Sequence, residues 1–402
     1  MPQAVFISGI GSISSIGNNS SELLGSILSK THGISKIKYL DSKHKNVLLA
    51  GEVKMSNEEL AQKVNINGAS DYSRTTLLGL LAARETVQTA GIDIKNDGYR
   101  TGLISSTSVG GIDKSEDFYK LFLEDENSGK LRNILSHDCG DSTEKIAVDL
   151  GIHHYVSTIS TACSSSANAA IIGARLILNN VLDRVIVGGT DALTKYTLNG
   201  FKALKILDSE HCKPFDKNRK GLNLGEAAAY FLLESEASLN ARNGVALGQL
   251  VGFGNANDAF HQTASSPEGD GAFKAMSIAL KKSGIDPNEI DYINAHGTAT
   301  PINDLSEGNA IKKIFNDTIP SFSSTKSYTG HTLAASGAIE GVIAMLALRD
   351  NFLPPNLNFS EAIPEINMTP LQEIIKPDRL KYILSNSLGF GGNCSSLIFS
   401  AV

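Results

Sequence analysis

Short runs rich in β-branched and apolar residues alternate along this chain with longer segments whose apolar residues recur at helical spacing. The short runs predict strands at residues 5–8, 101–105, 155–159, 184–187, 247–253, 290–294 and 382–386. The longer segments predict helices at residues 21–29, 74–90, 271–283 and 337–349, with a further helix after Cys163. Strands that alternate with helices indicate a layered α/β architecture.

The second half of the 402-residue chain repeats the organisation of the first, although no residue-level repeat links them. This length is typical of two or three units of ordinary domain size. No low-complexity segment or long linker separates the halves. We therefore expect two similar units, residues 1–245 and 246–402, packed tightly as one body.

Composition excludes several classes of protein. A net charge of −6 argues against a general nucleic-acid binder, which would present a basic face. No apolar run approaches the roughly 18 residues of a membrane span, and the N-terminus lacks the basic region of a signal peptide. The cysteines show neither a CxxC pair nor zinc-like spacing, so we expect no metal site and a reducing cytoplasm. They are Cys139, Cys163, Cys212 and Cys394.

Cys163 lies in STISTACSSSANAA, where an apolar stretch gives way to small residues and then to a helical pattern. Helix N-terminal amides favour negative charge, so this position predicts a lowered thiol pKa and a reactive thiolate. Small neighbours leave room for a substrate carbonyl. The alternative is a small buried cysteine that packs a strand-to-helix turn.

His296 ends a predicted strand in DYINAHGTATPIND. Open α/β sheets bind ligands outside the carboxyl ends of their strands, although a lone histidine is more often an ordinary core residue. Thr298 and Thr300 alternate along what we expect to be extended backbone. Their hydroxyls would then face one side, where they suit the amides of an extended ligand.

Two further segments carry polar chemistry. Lys326, His331 and Glu340 occur in STKSYTGHTLAASGAIEG, where the lysine and glutamate could set the orientation and protonation of the histidines. Taken alone, Lys326 would be a surface lysine and Glu340 an ordinary helical glutamate. Phe390 lies within GFGG, which predicts a mobile turn with exposed amides suited to an oxyanion, or else a plain connection between strands.

Gly9-Ile10-Gly11 is the one segment that suggests a nucleotide site. The third glycine of a dinucleotide fingerprint is absent, because Ser14 stands in its place. A glycine-rich turn after the first strand is the favoured interpretation. One cysteine and two histidines in glycine-lined loops instead indicate acyl transfer, with the thiolate taking an acyl group and the histidines stabilising charge on a second substrate.

Taken together, these residues resemble the elongating β-ketoacyl-acyl-carrier-protein synthases of fatty-acid and type II polyketide systems. The resemblance covers essentially the whole chain, through VFISGIGSISSIGN, TACSS, VGGTDA, KPFDKNRKGLNLGEAAA, NAHGTATPIND, STKSYTGH and GFGG. It implies a thiolase-like, five-layered αβαβα fold of two related halves. It also implies decarboxylative condensation of a cysteine-bound acyl group with malonyl-acyl-carrier protein, giving β-ketoacyl-acyl-carrier protein and CO2.

The same resemblance implies roles for individual residues. Cys163 would accept the acyl group, and His296 and His331 would promote decarboxylation with support from Lys326 and Glu340. Phe390 would gate the site, and its neighbouring amide would join that of Cys163 in an oxyanion hole. The remaining expectations are a pantetheine site at Thr298 and Thr300, an acyl pocket at Val109 and Phe201, and carrier docking at Lys130, Arg132, Lys202 and Lys205.

Partners and alternatives follow from the resemblance as well. The phosphopantetheine would arrive on the acyl carrier protein, so no cofactor of the chain's own is expected, and the enzyme would be a homodimer or pair with a related subunit. A thiolase using Cys394 as its second cysteine is one alternative, and a structural chain-length-factor-like subunit is another. Asn393-Cys394 replaces the family's usual Thr-Asn, and Tyr328 replaces a common methionine. Both changes are expected near the pocket, where they would favour a specialised acyl chain.

Overall fold

The computed structural model describes residues 5–66, 71–316 and 318–402, and its secondary structure is mixed α/β. Its strands in these ranges are β1 (Val5–Ser14), β2 (Ser35–Lys36), β3 (Leu49–Ala50), β4 (Thr101–Ser106), β5 (Tyr155–Ile159), β6 (Arg184–Asp191), β7 (Ala227–Ser235), β8 (Gly248–Asn257), β9 (Tyr292–Asn294), β10 (Ser321–Ser323), β11 (Tyr382–Leu388) and β12 (Asn393–Ser400). The helices are α1 (Ser20–Leu28), α2 (Asn57–Lys63), α3 (Arg74–Ala90), α4 (Ile112–Glu124), α5 (Arg132–Leu135), α6 (Cys139–Leu150), α7 (Ser165–Leu178), α8 (Lys195–Ala203), α9 (Glu236–Ala241), α10 (Asp270–Ser283), α11 (Pro301–Phe315), α12 (Lys326–Thr329) and α13 (Ser336–Asp350).

Ten strands form one sheet in the order β10-β9-β11-β12-β8-β1-β7-β6-β4-β5. Outward from its centre, each half begins with two antiparallel pairings and ends with two parallel ones. The halves meet where Phe6 and Ile7 of β1 pair with Gln249 and Gly248 of β8. The strands therefore pair in the same order and with the same directions on both sides of the centre, as expected of two related halves. The chain boundary at residue 245 stays a prediction.

Two buried helices, α7 and α13, lie between the halves of the sheet. Helix α13 contacts α7 and strands from both halves, and all of its residues from Ser336 to Leu348 are buried. Outside this pair, α3 packs on β1 and β7, while α10 packs on β8 and β12. The resulting order is helix, sheet, helix, sheet, helix, which is the layering expected from the sequence. A largely apolar helix such as α13 is stable because protein surrounds it on every side.

Some elements match their predicted bounds, and others do not. Helix α3 and strand β5 begin and end at the predicted residues. The expected glycine turn after residue 8 is wrong, because β1 continues to Ser14. A Cβ on Gly11 would lie 2.1 Å from the carbonyl oxygen of Ala82, so glycine lets α3 approach the strand closely. Strand β6 likewise continues to Asp191, paired with β7 throughout.

The described helices include none that is both long and apolar enough to cross a membrane. The longest apolar helix, α13, is instead enclosed between the two halves of the sheet.

Candidate active site

Three chain segments with unusual backbone meet at one cavity. Cys163 lies in the turn between β5 and α7, directly after Ala162, whose φ is 54°. Ala299 follows the His296 segment with φ 63°, and Leu333 follows His331 with φ 52°. Residues other than glycine rarely adopt positive φ, and such strain concentrates at functional sites because the surrounding fold imposes it.

The Cys163 thiol is buried, with 4% of the residue exposed. Burial raises its pKa to about 11, against the opposing effects of the Lys326 charge and of the N–H groups of Phe390 and Cys163. The predicted low pKa is therefore wrong, because α7 begins only at Ser165 and the thiol is buried away from solvent. The two N–H groups nevertheless converge on the sulfur, the arrangement expected of an oxyanion site.

His331 contacts this sulfur directly. Its Nε2 lies 3.1 Å from Cys163 Sγ, while its Nδ1 accepts the N–H of Leu333 at 3.3 Å and lies 3.0 Å from Ser336 Oγ. A ring nitrogen that accepts an amide N–H carries no proton, so the neutral ring has its proton on Nε2. Burial and the Lys326 charge lower the His331 pKa well below its usual value, which keeps the ring neutral. Nε2–H is thus a donor to the sulfur.

His296 has the same tautomer for a different reason. Its Nδ1 lies 3.2 Å from Lys326 Nζ, a group that can only donate, and Lys326 also forms a buried ion pair with Glu340. Burial, Lys326 and His331 together lower the His296 pKa well below its usual value. The two imidazoles lie at 86° with centroids 5.3 Å apart. Both Nε2–H groups are therefore available to one ligand in the cavity.

Two carboxylates that the sequence interpretation missed hold the His296 segment. Glu307 accepts the N–H groups of His296 and Gly297, both at 2.8 Å, and Asp304 accepts the N–H of Ala299 at 3.1 Å. Burial raises the Glu307 pKa to about 7, despite these hydrogen bonds. One feature of the sequence could have indicated them: they are acidic residues three positions apart on α11, which directly follows the HGTATP motif.

Asp191, at the end of β6, was also missed. Its carboxylate accepts the Thr107 hydroxyl at 2.5 Å, the N–H of Ser108 at 3.0 Å and the N–H of Ala334 at 2.9 Å. Burial raises the Asp191 pKa to about 6. This one side chain joins the turn after β4 to the loop that follows His331. Its place in the VGGTDA motif gave no indication of that contact.

The cavity has a volume of about 280 Å³. Its lining combines the reactive groups with apolar walls: Cys163, Phe201, Lys205, Ile206, Leu222, Thr263, Ala264, Ser265, His296, Thr298, Thr300, Pro301, Ile302, Asn303, His331, Leu388, Gly389, Phe390, Gly391, Gly392 and Cys394. The Thr298 and Thr300 hydroxyl oxygens lie 2.9 Å apart, on one side as predicted. The positive φ of Ala299 brings them together, so the expected extended backbone is wrong.

Phe390 stacks on Phe201, with ring centroids 5.6 Å apart and planes at 18°. Glu340 shares the buried lysine beside His296, and burial raises the Glu340 pKa to about 7 while Lys326 opposes that shift. The structure thus brings together Cys163, both histidines and their supporting residues, in or directly behind one cavity.

Other expected site residues lie outside the lining of this cavity. The backbone N–H of Val109 lies 3.3 Å from Asp191 Oδ1, and Lys202 Nζ lies 3.2 Å from His44 Nδ1. Arg132 forms an ion pair with Asp71, and Lys130 is exposed. Of the four expected docking cations, Lys205 is the one that lines the cavity.

Tyr328 is fully buried in the main hydrophobic core and does not line the cavity. Its expected position beside the pocket is wrong, because α12 directs the ring into the core. Asn393 and Cys394 do lie at the site. Cys394 is one of the lining residues, and burial raises its thiol pKa to about 12.

Comparison with known proteins agrees with this geometry. Residues 3–238 match the beta-ketoacyl synthase N-terminal domain, and residues 247–360 match the C-terminal domain. The chain belongs to the β-ketoacyl synthase family. It is 34% identical to 3-oxoacyl-[acyl-carrier-protein] synthase 2 of Staphylococcus aureus (strain COL), over 98% of this chain and 97% of that protein. This family membership makes the chain a ketosynthase of the acyltransferase type and replaces the thiolase alternative.

Two solved structures are similar over their full length. The ishigamide ketosynthase/chain length factor superposes with a TM-score of 0.94 at 28% identity, covering 100% of both chains. The ketosynthase complex AntDE:AntF, described as a type II PKS acyl-carrier protein in complex with its ketosynthase bound to the hexaketide, superposes with a TM-score of 0.89 at 25% identity, also covering 100% of both chains. The thiolase-like fold class predicted from the sequence is therefore confirmed.

The raised thiol pKa makes the reactivity of Cys163 dependent on pH. Because a thiol is protonated below its pKa, iodoacetamide should alkylate Cys163 about tenfold faster per pH unit between roughly pH 7 and 10. Peptide mass spectrometry separates this labelling from that of half-buried Cys139. A rate that is already constant at pH 7 would contradict a pKa of about 11.

Proposed function

We propose that this ketosynthase condenses an acyl group carried on Cys163 with malonyl-acyl-carrier protein, giving β-ketoacyl-acyl-carrier protein and CO2. The observation that carries the proposal is the cavity itself, where the Cys163 thiol meets two backbone N–H donors and the His331 Nε2–H, and where His296 lines the same cavity. A condensing enzyme needs both sets, because charge develops on oxygen in each half-reaction.

In the first half-reaction, Cys163 Sγ attacks the thioester carbonyl of the acyl carrier protein. The C–S bond to the enzyme forms, the C–S bond to the carrier breaks, and the leaving carrier sulfur takes up the proton that the Cys163 thiol gives up. The N–H groups of Cys163 and Phe390 stabilise the intermediate oxyanion. The Nε2–H of His331, 3.1 Å from the sulfur, stabilises the attacking thiolate.

In the second half-reaction, the malonyl carboxylate leaves as CO2 and its bonding electrons pass into an enolate. The Nε2–H groups of His296 and His331 stabilise the enolate oxygen, and Lys326 keeps the His296 tautomer fixed. The enolate carbon then attacks the acyl-Cys163 carbonyl. A carbon–carbon bond forms, and Cys163 leaves as the thiolate.

The phosphopantetheine arm of the carrier would pass Thr298 and Thr300, whose neighbouring hydroxyls line the cavity. Phe390, whose ring stacks on that of Phe201, acts as a gate. Val109 and Phe201 would border the acyl chain. An assay with a ladder of acyl-acyl-carrier proteins and malonyl-acyl-carrier protein tests the proposal, since it must yield β-ketoacyl product and CO2 in equal amounts.

Carrier recognition should depend on a local basic surface, because the chain itself has a net charge of −6. Acyl carrier proteins are acidic, and Lys205 lines the cavity while Lys202 lies one helical turn before it. Reversing both charges with Lys202→Glu and Lys205→Glu should raise the KM for carrier-bound substrates about tenfold or more at low salt. The difference should shrink as salt rises.

A small acyl thioester without a carrier is the internal control for this variant, since it makes no contact with a docking surface. The variant should use it as well as the native enzyme does. Equal loss on both substrates would contradict the docking assignment. Lys130→Glu and Arg132→Glu, tested separately, show whether these two more distant candidates add to the same surface.

We also propose a homodimer, with a heterodimer containing a related subunit as the second possibility. Strand β5 is an edge of the ten-stranded sheet, where its backbone groups can pair with another strand. Nearby, α4, α5 and the residues between them expose Tyr119, Leu123, Leu131 and Leu135 at 59%, 67%, 76% and 74%. Light scattering should give twice the 42.7 kDa chain mass.

A further inference from the structure

The GFGG segment is the loop of a hairpin between β11 and β12, and its two ends differ sharply in how they are held. At the base, Gly389 N–H donates to the Asn393 carbonyl at 2.8 Å, which closes the hairpin. A Cβ on Gly389 would lie 2.8 Å from the carbonyl oxygen of Thr161, so this end packs tightly against the segment that carries Cys163. At the tip, a Cβ on Gly391 would meet no atom within 4 Å.

The side chain of Asn393 explains why the base is fixed. Its Oδ1 accepts three hydrogen bonds: from Ser164 Oγ at 2.8 Å, Asn168 Nδ2 at 2.8 Å and Asn255 Nδ2 at 2.9 Å. Ser164 follows the nucleophile Cys163 directly, and Asn168 lies one turn further along α7. One carbonyl oxygen therefore joins the gate loop, the nucleophile helix and β8.

The donors are themselves fixed by further partners. Asn168 Nδ2 also donates to Thr161 Oγ1 at 2.9 Å, and Asn168 Oδ1 accepts from Ser395 Oγ at 2.8 Å. A polar network whose members all have partners is rigid and specifies one arrangement. The tip has a separate set of contacts, in which Gly391 N–H donates to the Gln262 carbonyl and Asn257 Nδ2 donates to the Gly391 carbonyl.

We propose that Asn393 is a positioning residue that anchors the base of the GFGG loop to helix α7, so that the loop tip can move while the Phe390 N–H stays aimed at Cys163. This inference rests on the proposed function and deepens it. Motion is then confined to Gly391 and Gly392, whose φ values of 81° and 80° are those that glycine tolerates. It would have to break the contacts of the tip, including the 2.7 Å hydrogen bond from the Asp258 N–H to the Gly392 carbonyl. The donor to the acyl oxyanion, which is the Phe390 N–H, and the mobile tip, which is Gly391 and Gly392, are then separate parts of residues 389–393.

The proposal predicts different effects on acyl transfer to Cys163 and on malonyl decarboxylation. Each variant is therefore assayed for both half-reactions. Asn393→Leu keeps the size of the side chain and removes the acceptor. It should slow transfer of an acyl group to Cys163 by about 10²-fold, because a misplaced donor costs roughly that factor. Malonyl decarboxylation, which depends on His296 and His331, should be much less affected when it is measured on enzyme whose Cys163 has been acylated to completion beforehand.

Phe390→Ala is the matched variant at the tip. It removes the ring but leaves the base of the loop and the backbone N–H in place. Malonyl decarboxylation should then occur without prior acylation, because nothing blocks the histidine side of the cavity. Asn393→Asp is the conservative variant, since it keeps an oxygen at the same point and should recover most of the acyl transfer lost in Asn393→Leu.

Burst labelling of Cys163, measured by mass spectrometry, and CO2 release from malonyl-acyl-carrier protein are the two readouts. Native acyl transfer in Asn393→Leu would overturn the proposal. Equal loss of both half-reactions, without recovery in Asn393→Asp, would also overturn it, because the side chain would then serve only folding. If the native enzyme itself fails to acylate Cys163, the proposed function fails instead, which keeps the two outcomes distinct.

Discussion

Replacing Cys163 with alanine should abolish condensation, with a loss of at least about 10⁴-fold in kcat. Both backbone donors and the His331 Nε2–H approach the Cys163 sulfur, so removing it removes the group that they are placed to stabilise. The measurement is the formation of β-ketoacyl-acyl-carrier protein from acyl- and malonyl-acyl-carrier proteins.

Cys139→Ala is the control for this variant, because Cys139 lies half-buried at the start of α6 and has no part in the proposed chemistry. It should condense at the native rate. Both variants should unfold at the native temperature within a few degrees, since the change at Cys163 removes one sulfur from a cavity wall. Full turnover by Cys163→Ala would refute the covalent mechanism.

The two histidines should fail in different ways. His296→Ala should lose about 10²–10³-fold in malonyl decarboxylation, the usual cost of one donor to an oxyanion, while acyl transfer to Cys163 persists. His331→Ala should lose decarboxylation to a similar extent and also slow acyl transfer, because its Nε2 lies 3.1 Å from Cys163 Sγ. Separate assays of CO2 release and of Cys163 acylation distinguish the two patterns.

An exposed histidine supplies the control here: His153→Ala should leave both half-reactions unchanged. If His296→Ala reduced acyl transfer as strongly as decarboxylation, His296 would be acting on the thiol, contrary to its place beside Lys326. Loss of decarboxylation alone in His331→Ala would mean that the contact with sulfur has no role in acyl transfer.

The sequence predicted that Cys163 and His296 lie in loops after strands, where open α/β sheets bind ligands. The strand before Lys326 and His331, β10, was not predicted, and the meeting of these four residues was expected from the family resemblance. The fold class followed from the same alternation of strands and helices. These features depend on local pattern, which a single sequence contains.

Features that depend on tertiary packing could not be predicted in this way. The Cys163 pKa is raised by burial in the folded protein, so the local helix start indicated the wrong direction. Asp191 accepts N–H groups from segments distant in the chain, and nothing near it indicates those partners. Tyr328 follows a motif of the site, yet its ring points into the core.

The central claim is that Cys163 carries the acyl group before malonyl is decarboxylated, and mass spectrometry of the Cys163 peptide tests it most directly. Mixing the enzyme with acyl-acyl-carrier protein alone should add the acyl mass to this peptide. Adding malonyl-acyl-carrier protein should remove that mass as the β-ketoacyl product appears on the carrier. Product formation while the Cys163 peptide stays unmodified, or acyl mass on Cys394 instead, would contradict the account.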